Sequence, residues 1–379
     1  MTYTVTCAEA GDFLTLDDST KTPLRFHAVW LRDNALDGDT RAPGNQQRLI
    51  TMADIDLAVR IDHATLQDDV LTLRLSDRDQ DLTFPLQWLL ANAYDRQSAD
   101  VLVDQSQSIW DSGMTGNVPT APLADMQNDA ETLHAWLANV ARFGFAKVTD
   151  VPCHEGSLFQ IVDLFGYVRE TNYGRLFQVR SEVNPSNLAY TGMGLQGHTD
   201  NPYRDPVPSL QILSCLENSA QGGDSTLIDG FAVAARLRQE NPDYFDILAG
   251  HVARFEYAGT DGVHLLSRRP MIEVGVDGRI QQIRFNSRST APIRDVPFDK
   301  MADYYAAYHR FAAIVDDPEM AVSFKLSPGE AFIVDNTRIL HARRGFSGAG
   351  NRWLQGCYAD KDGLLSKLSS LSHHLKATT

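Results

Sequence analysis

Downstream of residue 187 the chain runs through one short segment of β-branched and aromatic residues after another. They read LAYTG, SLQILSCL, DSTLIDG, ARFEYA, MIEVGV, IQQIRFN, AVSFKL, EAFIVDN and LQGCYAD. Gly, Pro, Asp and Asn punctuate them, as expected for strands joined by turns. So many strands in one unit must close on themselves or stack, which predicts a barrel or sandwich. Two helical insertions interrupt the series, FAVAARLRQENPDYFDILAG and FDKMADYYAAYHRFAAIVDD. Upstream, DMQNDAETLHAWLANVARF places Leu133, Trp136, Leu137 and Val140 on one helical face. GFAKVTDVP then reads as a strand and SLFQIVDLFGYV as a second helix ending near Gly166. The expectation is a mainly β protein with flanking helices.

Residues 1–100 form a separate β-rich texture, with TYTVTCA, LRFHAV, RLITMADID, VLTLRL and LTFPLQWL as strand candidates and LQWLLANAY as a closing helix. Residues 101–125, including SGMTGNVPTAPL, read as a linker, and residues 126–379 as the larger domain. A length of 379 residues suits two domains. The net charge of -15 disfavours nucleic acid and anionic membranes as partners, because both repel an acidic surface. No apolar run approaches the roughly 20 residues that span a bilayer. The start, MTYTVTCAEAGDF, lacks the basic and apolar segments of a secretory signal. Cys7, Cys153, Cys215 and Cys357 are widely spaced, with no CxxC pair. A reducing, cytoplasmic setting is expected.

The stretch LQGHTDNPYR sets His198 and Asp200 two residues apart. On an extended strand, positions i and i+2 point the same way, so an imidazole and a carboxylate there can be adjacent ligands of one metal ion. A lone HxD is common by chance. His341, in EAFIVDNTRILHARRGF, offers a third ligand after a strand that begins at an SPG turn. Two histidines and one carboxylate make the facial triad of non-heme Fe(II) oxygenases, with positions left open. Arg352, in GNRWLQGCY, begins an apolar strand eleven residues after His341. A buried arginine normally faces a carboxylate. That partner is either a protein side chain or the far end of a dicarboxylic co-substrate gripped by the guanidinium fork.

Taken together, HTDNP, GGDSTLIDGF, SPGEAFIVDNTRILHARRGF and NRWLQGCYAD resemble the Fe(II)/2-oxoglutarate oxygenases related to taurine dioxygenase. The chain is more closely similar to the γ-butyrobetaine hydroxylases and their trimethyllysine-hydroxylase relatives. That resemblance covers nearly the whole chain, with AVWLRDN and QRLI matching the family's N-terminal domain. It implies a double-stranded β-helix (jelly-roll) catalytic core that uses Fe(II), 2-oxoglutarate and O2. It carries the iron-ligand roles onto His198, Asp200 and His341, and the 2-oxoglutarate role onto Arg352, with Ser225 as an accessory contact. The family holds a trimethylammonium head in an aromatic cage, and the matching positions are Tyr173, Phe177, Tyr190 and Tyr358. Phe177 stands where the animal γ-butyrobetaine enzyme has a Trp. Ring faces suit a cation that donates no hydrogen bond, by an attraction of ~0.5–2 kcal/mol.

Asn187 and Asn286 match positions that touch the substrate's anionic end in the family. Arg288 and Asn201 add a guanidinium and an amide beside them, which suits a phosphonate with its extra charge and third oxygen. The expected substrate is therefore a small zwitterion, 2-(trimethylamino)ethylphosphonate or γ-butyrobetaine, with trimethyllysine as the alternative. The family's N-terminal domain commonly binds zinc through cysteines after LRDN. Here that place reads NALDGDTR, with Ala35, Asp37 and Thr40 and no thiol, so no structural zinc is expected. A homodimer is expected instead to support this module. Two other classes compete: a ligand-binding relative without turnover, and a metal hydrolase with Glu217 as its base.

Overall fold

In the strand Leu210–Asn218, Leu210 and Ile212 enter one apolar cluster while Leu213 and Cys215 enter another. Side chains alternate across a strand, so this one is covered on both faces and its sequence shows no polar side. The computed structural model describes residues 3–18, 22–95, 102–180, 194–219, 221–260, 262–343, 346–347 and 351–378. The chain divides into two units, Met1–Ala99 and Asp100–Thr379.

The first unit contains two antiparallel three-stranded sheets, Thr4–Cys7 with Phe13–Asp17 and Leu24–His27, and Ile61–Gln67 with Val70–Leu75 and Leu82–Pro85. Leu14, Leu16, Leu71, Leu73, Leu75 and Phe84 alternate inward and are buried. RLITMADID is not a strand. Arg48 is tied to Asp33, and Thr51 and Asp54 form a capping box that turns Met52–Asp54 into a short 3-10 helix. Where the resemblance would place zinc ligands, Ala35 is buried. Asp37 accepts hydrogen bonds from the Thr40 backbone N–H and from Arg78 Nη1, both at 2.8 Å.

The second unit is layered. Its larger sheet orders the strands Phe177–Val179, Arg352–Ala359, Leu210–Asn218, Ala331–Asp335, Phe145–Thr149 and Thr120–Pro122, with Val168–Arg169 also on Arg352–Ala359. One face of this sheet packs on the helices Ala130–Phe143 and Lys361–Thr378 through Leu137, Val140, Ile333, Cys357 and Leu364. The other face meets a four-stranded sheet, ordered Leu195–His198, Ile339–Arg343, Ser225–Asp229 and Ala321–Phe324. Leu213, Phe332 and Leu354 of the larger sheet share a cluster with Leu227, Val322 and Ile339 of the smaller one. Outside the smaller sheet lie the helices Gly230–Glu240, Pro242–Gly250 and Met301–Val315, packed on Ile228 and Leu340.

Residues 102–125 correct the linker reading. Trp110 is buried in the inter-sheet cluster, and Thr120–Pro122 pairs in parallel with Phe145–Thr149. The helix expected from Asp125 onward is two helices, Leu123–Asn128 and Ala130–Phe143, because the Asp129 carboxylate caps the second by accepting from the Thr132 N–H. SLFQIVDLFGYV keeps only Phe159–Val162 as α-helix. The strand candidate LAYTG lies outside the described residues.

Candidate active site

The two histidines arise from strand register. His198 and His341 are direct partners on neighbouring antiparallel strands, with ring centroids 4.4 Å apart. Gly197 permits the local packing, since a Cβ there would lie 2.8 Å from Val315 Cγ1. Asp200 follows the strand end. Its backbone N–H donates to Asn336 Oδ1 at 2.7 Å, and Asn336 Nδ2 donates back to its carbonyl at 3.0 Å. Asp200 Oδ1 then sits 3.6 Å from His198 Nε2 and 3.7 Å from His341 Nε2.

These donors fit a metal cation. His198 Nδ1 lies 2.8 Å from the Gln196 carbonyl. A carbonyl only accepts, so Nδ1 carries a proton, and in the neutral ring Nε2 turns its lone pair toward Oδ1. A lone pair facing a carboxylate oxygen is repulsive unless a cation sits between them. One ligand atom from each of His198, Asp200 and His341 falls within 4.8 Å of the others. Burial pushes the Asp200 carboxyl up, but the two histidines and the Tyr358 hydroxyl outweigh it and hold it well below the usual carboxylate range. Burial, reinforced by His198, pulls His341 down to about 3. Neutral imidazoles and an ionised carboxylate are the ligating forms.

A cavity of about 400 Å³ opens beside the three donors. Its wall includes Arg352 and Ser225, expected to meet the co-substrate, and Tyr173, Phe177, Tyr358, Asn201, Asn286 and Arg288, expected to meet the substrate. Asn187 and Tyr190 lie outside the described residues. Strand alternation explains the placement, because Arg352, Leu354 and Tyr358 share the inward face of one strand and His341 and Arg343 that of another. Gly356 lies between Leu354 and Tyr358. A Cβ there would meet the Phe177 ring at 2.3 Å, so only glycine lets that ring lie across the strand, 5.1 Å from Tyr358. Asn201 is buried in the left-handed region at φ 52°, and its Oδ1 accepts from the Tyr203 hydroxyl at 2.6 Å. Its Nδ2 has no hydrogen-bond partner among the described residues. Asn286 is already engaged at both amide ends, donating to the Thr199 carbonyl at 3.2 Å and accepting from the Arg288 N–H at 3.1 Å.

Several wall residues escaped the sequence reading. Tyr257 and Tyr203 stack at 5.0 Å, and the Tyr173 and Tyr203 hydroxyls are 2.9 Å apart, forming a tyrosine wall. Arg343, directly after the His341–Ala342 pair, also lines the cavity, making three guanidiniums with Arg288 and Arg352. Burial, then the charges of Arg352 and Arg288, pull Arg343 down to about 10, still cationic at neutral pH. Its HxR spacing from His341 was the available signal. Glu217 does not line the cavity and accepts from Asn351 Nδ2 at 2.9 Å, so the hydrolase alternative loses its base.

The grouped His198, Asp200 and His341 donors have the two-histidine, one-carboxylate pattern used by non-heme Fe(II) oxygenases, and the comparisons give the chain's family. Residues 111–358 match the profile of the Taurine catabolism dioxygenase TauD, TfdA family. The chain belongs to this family and is a 2-oxoglutarate-dependent dioxygenase of the iron-using kind. It is 34% identical to the gamma-butyrobetaine dioxygenase of Pseudomonas sp. (strain AK-1) over 349 residues, 90% of this chain and 89% of that one. It is 30% identical to the mitochondrial trimethyllysine dioxygenase of Rattus norvegicus over 361 residues, 93% of this chain and 84% of that one. In fold it resembles a Burkholderia xenovorans protein assigned to the alpha-ketoglutarate-dependent taurine dioxygenases, with a TM-score of 0.50 and 14% identity over 66% of this chain and 92% of that one. Among the described residues, no helix is long and apolar enough to cross a membrane.

Proposed function

We propose that the chain hydroxylates a C–H bond of a small trimethylammonium acid, with 2-(trimethylamino)ethylphosphonate favoured over γ-butyrobetaine. The observation that carries this reading is one cavity lined by the His198, Asp200 and His341 donors together with Tyr173, Tyr203, Tyr257 and Tyr358 and the guanidinium-bearing Arg288, Arg343 and Arg352. The named activities of the relatives support the trimethylammonium class. On this reading the two facing sheets form a double-stranded β-helix, and the three donors hold Fe(II). Bound iron with 2-oxoglutarate and O2 supplies the oxidising chemistry. The protein's part is binding and aim. Arg352 and Ser225 anchor the co-substrate's far carboxylate, and Tyr173, Tyr203, Tyr257, Phe177 and Tyr358 surround the ammonium head. Asn201 Nδ2, a buried donor without a hydrogen-bond partner among the described residues, and Arg288 take the anionic head. Fixing both ends sets which carbon faces the metal, and a displacement of about 1 Å costs on the order of 100-fold in rate.

Phosphonate is favoured because Arg288 and Arg343 add two cations beyond the co-substrate anchor, and a dianionic head with three oxygens uses them better than a carboxylate. The test is oxygen uptake and succinate release with the phosphonate, γ-butyrobetaine and trimethyllysine as substrates. The phosphonate is expected to turn over fastest, His198→Ala to abolish turnover, and Arg288→Ala to raise the phosphonate KM at least tenfold. Unchanged phosphonate turnover in Arg288→Ala removes the argument for that head group. The homodimer expected from the sequence belongs to the same proposal, and light scattering on the full chain tests it.

A further inference from the structure

The Asp200 carboxylate is addressed from both sides. Oδ1 faces the two imidazoles, and Oδ2 accepts from Gln211 Nε2 at 2.5 Å and from the Tyr358 hydroxyl at 2.8 Å. Gln211 and Tyr358 are direct register partners on neighbouring strands of the larger sheet. One rung of that sheet thus clasps Oδ2, while one rung of the smaller sheet, His198 with His341, faces Oδ1. The amide orientation of Gln211 is forced, because a carboxylate only accepts. Its Oε1 must point away, and it is buried without a hydrogen-bond partner among the described residues.

We propose that Gln211 and Tyr358 are positioning residues that hold Asp200 as a one-oxygen ligand, keeping Oδ2 off the metal and a coordination position open for co-substrate. The inference rests on the reading of His198, Asp200 and His341 as the metal ligands. A carboxylate that can rotate chelates through both oxygens and fills a site that 2-oxoglutarate or oxygen needs. Tyr358 thereby has a second task besides its ring face: its hydroxyl belongs to Asp200. The leucine side chain of Gln211→Leu keeps similar bulk and removes the donor, and Tyr358→Phe deletes a single oxygen and keeps the ring.

The experiment uses Co(II) as the probe on the full chain without oxygen, reading affinity by calorimetry and coordination by the visible ligand-field spectrum, with and without 2-oxoglutarate. Partners of a ligating group typically matter by about 10–100-fold in metal affinity or activity. Gln211→Leu and Tyr358→Phe are each expected to change the Co(II) spectrum and to weaken 2-oxoglutarate binding to the Co(II) form about tenfold or more, with unchanged far-ultraviolet circular dichroism. Should Gln211→Leu fail to fold, Tyr358→Phe carries the test alone. 2-Oxoglutarate binding within twofold of the parent, or weaker binding with the parent's spectrum, overturns the proposal. If the parent itself binds no Co(II), or His198→Ala binds as well as the parent, the metal-site reading fails first. A parent that binds beside a His198→Ala that does not leaves the clasp to be judged by its own variants.

Discussion

His341 combines a ligand's position with a titration far from its ordinary value of 6.5, because burial and then His198 hold it near 3. The sign of the consequence is fixed by linkage. Between these values the unfolded chain binds a proton that the folded site refuses, so stability is complete above about 6.5 and is lost as pH falls toward 3. The metal-free protein should therefore show a falling urea midpoint from pH 7 to pH 5. His341→Gln, neutral throughout, should show a flatter profile; an identical slope would mean that His341 does not set it. At this scale the site was unevenly legible. His198 and Asp200 are legible through their HxD spacing, and His341 and Arg352 as charged or ligating residues in apolar strands, once the four are read together. Gln211 and Tyr257 belong to no such motif. Gln211 sits in an ordinary-looking strand, and its meaning comes only from Asp200 lying opposite its amide.

The element that ties the smaller sheet together is the buried pair Asp229–Arg338. Arg338 Nη2 lies 2.6 Å from Asp229 Oδ2, both side chains are fully buried, and Arg338 also donates to the Arg142 and Ser108 carbonyls. Asp229 ends the strand Ser225–Asp229 and caps the helix Gly230–Glu240 by accepting from the Phe231 N–H. Arg338 immediately precedes the strand that carries His341. Removing one partner strands the other charge, at a cost of about 3–5 kcal/mol. Arg338→Met should lower the unfolding free energy by that amount in urea titrations, and a loss under 1 kcal/mol would show that water reaches Asp229. Elements with strong periodicity, such as Ala130–Phe143, were readable in type and buried face, but their ends were set by caps. Asp129 split one expected helix, and Asn241 with Pro242 divided another into Gly230–Glu240 and Pro242–Gly250. The closing helix Lys361–Thr378 was missed among its serines, although Leu364, Leu368 and Leu371 face the core at helical spacing.

In the whole molecule, the alternation of layers decides where chemistry can occur. Helices cover the outer faces of both sheets, so the polar inward side chains collect in the space between the sheets. That arrangement was legible in outline, since many short strands must stack, but the partition of strands between two sheets depends on long-range pairing that no local pattern encodes. It also links cation binding to folding, because the donors come from two strands and the turn after one of them. A cation that binds only the native state stabilises it by about 2.7 kcal/mol at 100 times its Kd. Saturating Co(II) should raise the melting temperature of the full chain and leave His198→Ala unmoved; an equal rise in both would place the ion elsewhere.

The shared rung of His198 and His341 has a consequence for folding. Shifting either strand by one residue would turn an imidazole toward the helices and dismantle the donor set. Donor set and strand pairing therefore stand or fall together, and a cation that senses His198 also senses whether these strands have found their partners.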